Sequence, residues 1–159
     1  MKTNKYLAQG GIIAALYVVL TLLSAMMGLS SGAIQLRLSE ALCILPCFIP
    51  AAVPGLFVGC LLSNLITGCA AMDVIFGSLA TLLGALGTYY LRKNPFLSVV
   101  PPILCNTLII PFVLSYAYGI ETAIWVLMLG VFIGEFISCG ALGQLVFRTL
   151  KKHPEILRK

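Results

Sequence analysis

Charge is what this sequence has least of. Of its 159 residues 9% are charged and 60% are hydrophobic, whereas a soluble domain carries about 25% charged residues. The shortage excludes water as the main solvent of the folded chain. Histidine occurs once, as His153 in the polar tail, so Cys43 and Cys47, four apart on one helix face, lack the ligand count that a metal site needs. Together with Cys60, Cys69, Cys105 and Cys139 they lie mostly within apolar stretches and read as small hydrophobes, not as a disulfide framework. No phosphate-cradling glycine loop, helix-borne HExxH or nucleophile elbow is present, and the acidic residues are scattered rather than paired. The chain is read as a non-enzyme without a cofactor, and any chemical energy it uses has to come from another protein.

What is abundant is long apolar sequence. A helical span needs about 20 apolar residues to cross a hydrocarbon core of about 30 Å. Four stretches meet that length: 6–27, 72–91, 96–118 and 122–147. The first is too long for a signal-peptide core and is expected to stay as a span. Between the first two, residues 37–67 are apolar but interrupted by Pro46, Pro50 and Pro54. They predict a hairpin of two short helices, each reaching about 22 Å at helical rise. The expectation is an all-α integral membrane protein, one six-helix bundle over residues 1–159 with short helices 2 and 3.

Basic residues set its orientation. Lys2 and Lys5, then Arg92 and Lys93, then Arg148, Lys151, Lys152, Arg158 and Lys159 all fall on one side of the predicted topology, leaving Arg37 as the exception among ten. By the positive-inside rule both termini are cytoplasmic and the chain is a multi-pass protein of the cytoplasmic membrane, in contact with its lipid. The external side then holds residues 28–38, 68–71 and 119–121, and the first of these is long enough to act as a lid.

Small residues recur every four positions: Gly10 and Ala14, Gly11 and Ala15, Gly55 with Gly59 and Ser63, Gly130 with Gly134 and Ser138. That spacing permits close helix approach, within the bundle or toward a partner. Intramembrane ionisable groups usually face a cavity, a partner or each other. Here the candidates are Arg37, Glu40, Asp73 and Glu135, joined by Asn64 and Asn106. Arg37 and Glu40 could pair at a helix start, Asp73 could cap the fourth helix, and the asparagines could bond helices together. Glu135 has no such local use in mid-helix, so a cavity, a partner or a protonated state must account for it. Three carboxylates against one guanidinium favour a cationic, donor-rich ligand. Tyr116, Tyr118 and Trp125 mark the outer boundary as an aromatic belt, from which one could also stack on a flat ligand.

The run Gln35-Leu36-Arg37-Leu38-Ser39-Glu40-Ala41-Leu42 with Leu45-Pro46, Pro54-Gly55, Gly59 and Asn64 resembles the QueT family of queuosine-precursor transporters. So do the stretch from Asp73 to Leu82, Pro101-Pro102 ahead of Asn106, and Gly134-Glu135. The resemblance implies the substrate-binding S-component of an energy-coupling factor transporter. The substrate it implies is a 7-deazaguanine such as the aminomethyl precursor or queuine, for which the candidates are Arg37, Glu40, Asn64, Asp73, Asn106, Glu135 and Trp125, with Glu135 or Glu40 toward the base edge, Asp73 toward the amine, and Asn64 and Asn106 completing recognition. Gly10, Gly11, Ala14 and Ala15 would face a transmembrane coupling protein that works with two ATPases; nucleic acid is not among the implied partners. Another vitamin-like cation such as thiamine, or a non-transport membrane scaffold, is the competing expectation.

Overall fold

The fold follows from where apolar helices can hide their polar backbone. In a computed structural model that describes residues 2–29 and 35–153, the described chain forms six helices: α1 (Lys2–Met26), α2 (Leu38–Cys47), α3 (Ala52–Ile66), α4 (Ala71–Tyr90), α5 (Val100–Tyr118) and α6 (Ile124–Lys152). Four of them, α1, α4, α5 and α6, are long and apolar enough to cross a membrane. Residues 30–34 of the expected lid, and Arg158 and Lys159 of the basic tail, lie outside the described residues.

α1, α3, α4, α5 and α6 pack in that order, each on the next, and α2 runs through their middle against α1, α3, α4 and α6. The predicted second helix is a 3₁₀-helix of 10 residues with Pro46 inside it, which at about 2 Å per residue spans about 20 Å. Seven of its residues are buried. Irregular backbone is tolerated at membrane depth when protein surrounds it, and here α2 is enclosed by its neighbours.

Helix contacts are close where side chains are absent. A Cβ on Gly55 would meet the Gly10 carbonyl oxygen at 2.7 Å, and one on Gly59 would meet Tyr17 Cβ at 2.7 Å, so α3 lies directly on α1. The predicted stripe on α1 is therefore divided. Ala14 is buried against α3 and Gly10 half-buried, while Gly11 and Ala15 are exposed. α5 begins at Val100, four residues later than the apolar run suggested. Pro101 and Pro102 occupy its first turn, where proline is favoured, and the Asn94 side chain accepts the Phe96 N–H to hold the preceding residues in turns. α5 ends at Gly119 with φ 64°, a left-handed stop that glycine adopts without strain.

Hydrogen bonds fix the connections. Thr88 donates to the Ser98 carbonyl at 2.7 Å, and Gln144 of α6 donates to the Pro95 carbonyl. These tie the α4–α5 connection, with Arg92 and Lys93, to the end of the bundle where α6 carries Arg148, Lys151 and Lys152. Asp73, Tyr118 and Arg37 gather at the opposite end.

Candidate functional site

A polar stripe on α1 builds the site's first wall. Tyr17, Thr21 and Ser24 recur at helical spacing and are all buried. Thr21 donates to Ser39 Oγ at 2.8 Å and Ser24 Oγ accepts the Leu38 N–H at 2.9 Å, which moors the start of α2 against α1. The Tyr17 hydroxyl donates to one oxygen of Glu40, and the Cys43 thiol donates to the other at 3.0 Å. Glu40 is thus held by two donors from the protein itself. Replacing Tyr17 with Phe strips one of them from a buried carboxyl group, and the expected loss is about 1–3 kcal/mol. Thermal unfolding of the detergent-purified variant checks it; an unchanged midpoint would show that this bond carries no weight.

Arg37 does not pair with Glu40 as the helix-start reading allowed. Its guanidinium lies 3.7 Å from Asp73 Oδ2. The same Asp73 oxygen accepts the Tyr118 hydroxyl at 3.0 Å, and Tyr118 in turn accepts the Ala70 N–H at 3.2 Å. Asp73 makes no side-chain cap on α4; it is a junction between α2, α4 and α5. Asn64 of α3 donates to the Asp73 backbone carbonyl at 3.2 Å.

These residues line a cavity of about 460 Å³, within the range of small-molecule sites. Gln35, Arg37, Asn64, Asp73 and Tyr118, together with Thr21, Thr67 and Thr122, supply its polar groups, and Leu114, Val126 and Leu127 part of its apolar wall. Beneath it lies a crevice of about 10 Å³ lined by Glu40, Asn106 and Glu135, room for about one water molecule. Gln35 and Arg37 belong to both linings. Glu135 sits about 17 Å along α6 from Ile124, by helical rise. The chain at Gln35 can approach because residue 134 is glycine: a Cβ there would fall 2.1 Å from the Gln35 carbonyl oxygen.

Six of the seven binding candidates from the sequence therefore converge: Arg37, Asn64 and Asp73 above, Glu40, Asn106 and Glu135 below. Trp125 does not join them. It is 71% exposed and lines neither space, because the inward face of α6 is set by Leu127 and Val131, and a residue two positions from Leu127 points away. Of the boundary aromatics, Tyr118 enters the cavity while Tyr116 remains 73% exposed. Tyr17 was not singled out from the sequence; its signal was the polar spacing with Thr21 and Ser24 in an otherwise apolar helix.

The electrostatics are unbalanced in one respect. Six side-chain atoms are buried and without a hydrogen-bond partner of good geometry among the described residues: Thr107 Oγ1 and Ser138 Oγ away from the two spaces, and Asn64 Oδ1, Asp73 Oδ1, Glu135 Oε2 and Asn106 Nδ2 on residues that line them, with Asn106 and Glu135 facing each other. Native interiors rarely leave such groups unpaired without a functional reason. Three acceptors and one donor, around connected spaces inside an apolar bundle, match a ligand with several N–H groups and a carbonyl.

A described chain that is all helical, with four helices of membrane-crossing length and a solute-sized cavity holding a few buried polar groups, has the make-up of a small-solute membrane protein. The chain is a member of the QueT transporter family, whose sequence profile matches residues 7–152. Over 72 residues it is 39% identical to a protein of Lactococcus lactis subsp. cremoris named as a queuosine precursor transporter. That alignment takes in 45% of this chain and 42% of the relative's length. No solved structure matches the fold.

Proposed function

We propose that this bundle is the substrate-binding subunit for uptake of a 7-deazaguanine precursor of queuosine, and that residues 1–159 work as one binding unit. The observation that carries the reading is the set of four unpaired buried polar atoms on Asn64, Asp73, Asn106 and Glu135. A deazaguanine presents two adjacent N–H donors, a ring carbonyl and, in the aminomethyl form, an ammonium. The ammonium goes to Asp73 and Asn64 in the upper cavity. The base edge goes to Glu135, with Asn106 donating to the carbonyl. Glu40 already holds two protein donors, which leaves Glu135 as the carboxylate for the base edge.

The crevice is too small for that edge while Arg37 and Gln35 roof it. The ligand's ammonium takes the place of the Arg37 guanidinium on Asp73, a long ion pair at 3.7 Å, and the guanidinium turns toward Glu40. The two spaces then become one.

No residue run here can hold ATP, so energy comes from a separate transmembrane coupling protein and two ATPases. The exposed Gly11 and Ala15 offer α1's smooth face to that partner. The basic end of the bundle faces the cytoplasm of a cell membrane, termini included, and the cavity faces outward.

Isothermal titration of the purified protein tests the assignment. Saturable binding of aminomethyl-deazaguanine, with none of thiamine, is the expected result. Saturable thiamine binding without any deazaguanine binding would remove it, and absence of both would favour a non-transport scaffold.

A further inference from the structure

A second concavity, larger than the candidate ligand cavity, lies away from it. Between α5 and the second half of α6 runs a groove of about 630 Å³. Its walls include Phe96, Leu104, Phe132 and Phe136, with Gly140 and Ala141 between them. The groove has a local cause: α6 widens into a π-helical turn over Phe136–Leu142, and the two smallest residues of that turn face the opening. Such insertions displace side chains from their regular helical positions and often mark functional places.

Its polarity is confined to one end. Gln144 and Arg148 are the polar residues of the lining, no acidic residue contributes, and Lys151 and Lys152 follow exposed on the next turn. Val146, Phe147 and Leu150 of the same segment pack inward on the core, so the cations are left on the outer face. From Phe132 to Arg148 the groove runs about 24 Å at helical rise, more than half of a hydrocarbon core of about 30 Å. An apolar channel parallel to a membrane helix, ending in cations at the bundle's basic end, has the shape and charge to hold an acyl chain below an anionic headgroup.

We propose that this groove holds an acyl chain of an anionic phospholipid whose phosphate rests on Arg148. A membrane-spanning helix of a partner would be the other occupant of an apolar groove, but the cationic end and the absence of any acidic or small-residue stripe along the lining favour lipid. The site is independent of the deazaguanine reading, since none of its residues lines the ligand cavity.

Native mass spectrometry of the full chain, purified in mild detergent and exchanged against phosphatidylglycerol or phosphatidylcholine, tests it. The wild type should retain phosphatidylglycerol about fivefold over phosphatidylcholine, the effect of one basic residue beside an anionic headgroup. Arg148→Gln, at an exposed position, should lower that preference about fivefold, the larger loss falling on phosphatidylglycerol. Ala141→Phe, which fills the groove, should reduce retention of both lipids. Equal retention of the two lipids by the wild type would overturn the proposal. So would retention that neither substitution alters, and in that case loss of a copurifying membrane partner from Ala141→Phe would assign the groove to a protein helix.

Discussion

Asp73→Asn is expected to erase the advantage that a positively charged ligand has over an uncharged one. The substitution keeps an oxygen for the Tyr118 hydroxyl, which now reaches Asp73 Oδ2 at 3.0 Å, but removes the charge that faces the cavity. A hydrogen bond between an ammonium and a carboxylate contributes about 1.5–3 kcal/mol, so affinity for aminomethyl-deazaguanine should fall roughly 10- to 100-fold. The 7-methyl analogue lacks the ammonium and should bind the variant about as it binds the wild type. Titration of both ligands against both proteins gives the comparison directly. An equal loss for the two would make Asp73 a structural junction only, and no loss for either would place the amine elsewhere. A drop in thermal stability is expected beside the binding effect, because Arg37, whose side chain is 16% exposed, loses its counter-ion in a largely desolvated position.

The place of Asp73 shows why part of the candidate site was legible in the sequence and part was not. Intramembrane charges stand out because hydrocarbon excludes them, so Arg37, Asp73 and Glu135 could be picked without a structure, and the long apolar runs and basic clusters gave four spans in nearly their observed places. The partner of Arg37 was not readable. Glu40 is three residues away and Asp73 is thirty-six, yet the first residue of α2 to face inward is Ser39, and this rotation sends Glu40 toward Tyr17 while Arg37 meets α4. The 3₁₀ form of α2 was equally hidden. Three prolines announced a break, but a ten-residue 3₁₀-helix is stable only because α1, α3, α4 and α6 enclose it. Trp125 failed for a simpler reason: interfacial preference and ligand stacking predict the same residue type, and only the helix face separates them.

The enclosure of α2 also links the site to the fold. Its first turn carries Glu40, its amino-terminal flank carries Gln35 and Arg37, and all three line the crevice. The residues that follow 35–37 are anchored to α1 through Ser24 and Thr21, which bond Leu38 and Ser39. The exposed Gly11 and Ala15 lie on that same α1.

The sharpest separation of binding from folding is expected at Glu135. Its Oε2 is buried without a partner among the described residues, and the residue as a whole is 7% exposed. Leaving a buried polar atom unpaired costs about 1–3 kcal/mol, so removing it relieves a cost that the fold now carries. Glu135→Met, similar in length and unbranched, should hold the unfolding midpoint or raise it. The same change removes the acceptor assigned to the base edge, and affinity for any deazaguanine should fall at least about a hundredfold, equivalent to about 2.8 kcal/mol. Glu135→Gln, which keeps the shape but turns one acceptor into a donor, should lose binding nearly as fully, because the carboxylate's paired acceptors are what two adjacent N–H groups require. Titration and thermal unfolding on the same preparations decide the matter. A protein that melts earlier yet binds normally would make Glu135 interhelical glue. One that stays folded and no longer binds would show a carboxylate kept in an apolar bundle for its ligand, at the expense of the stability that methionine restores.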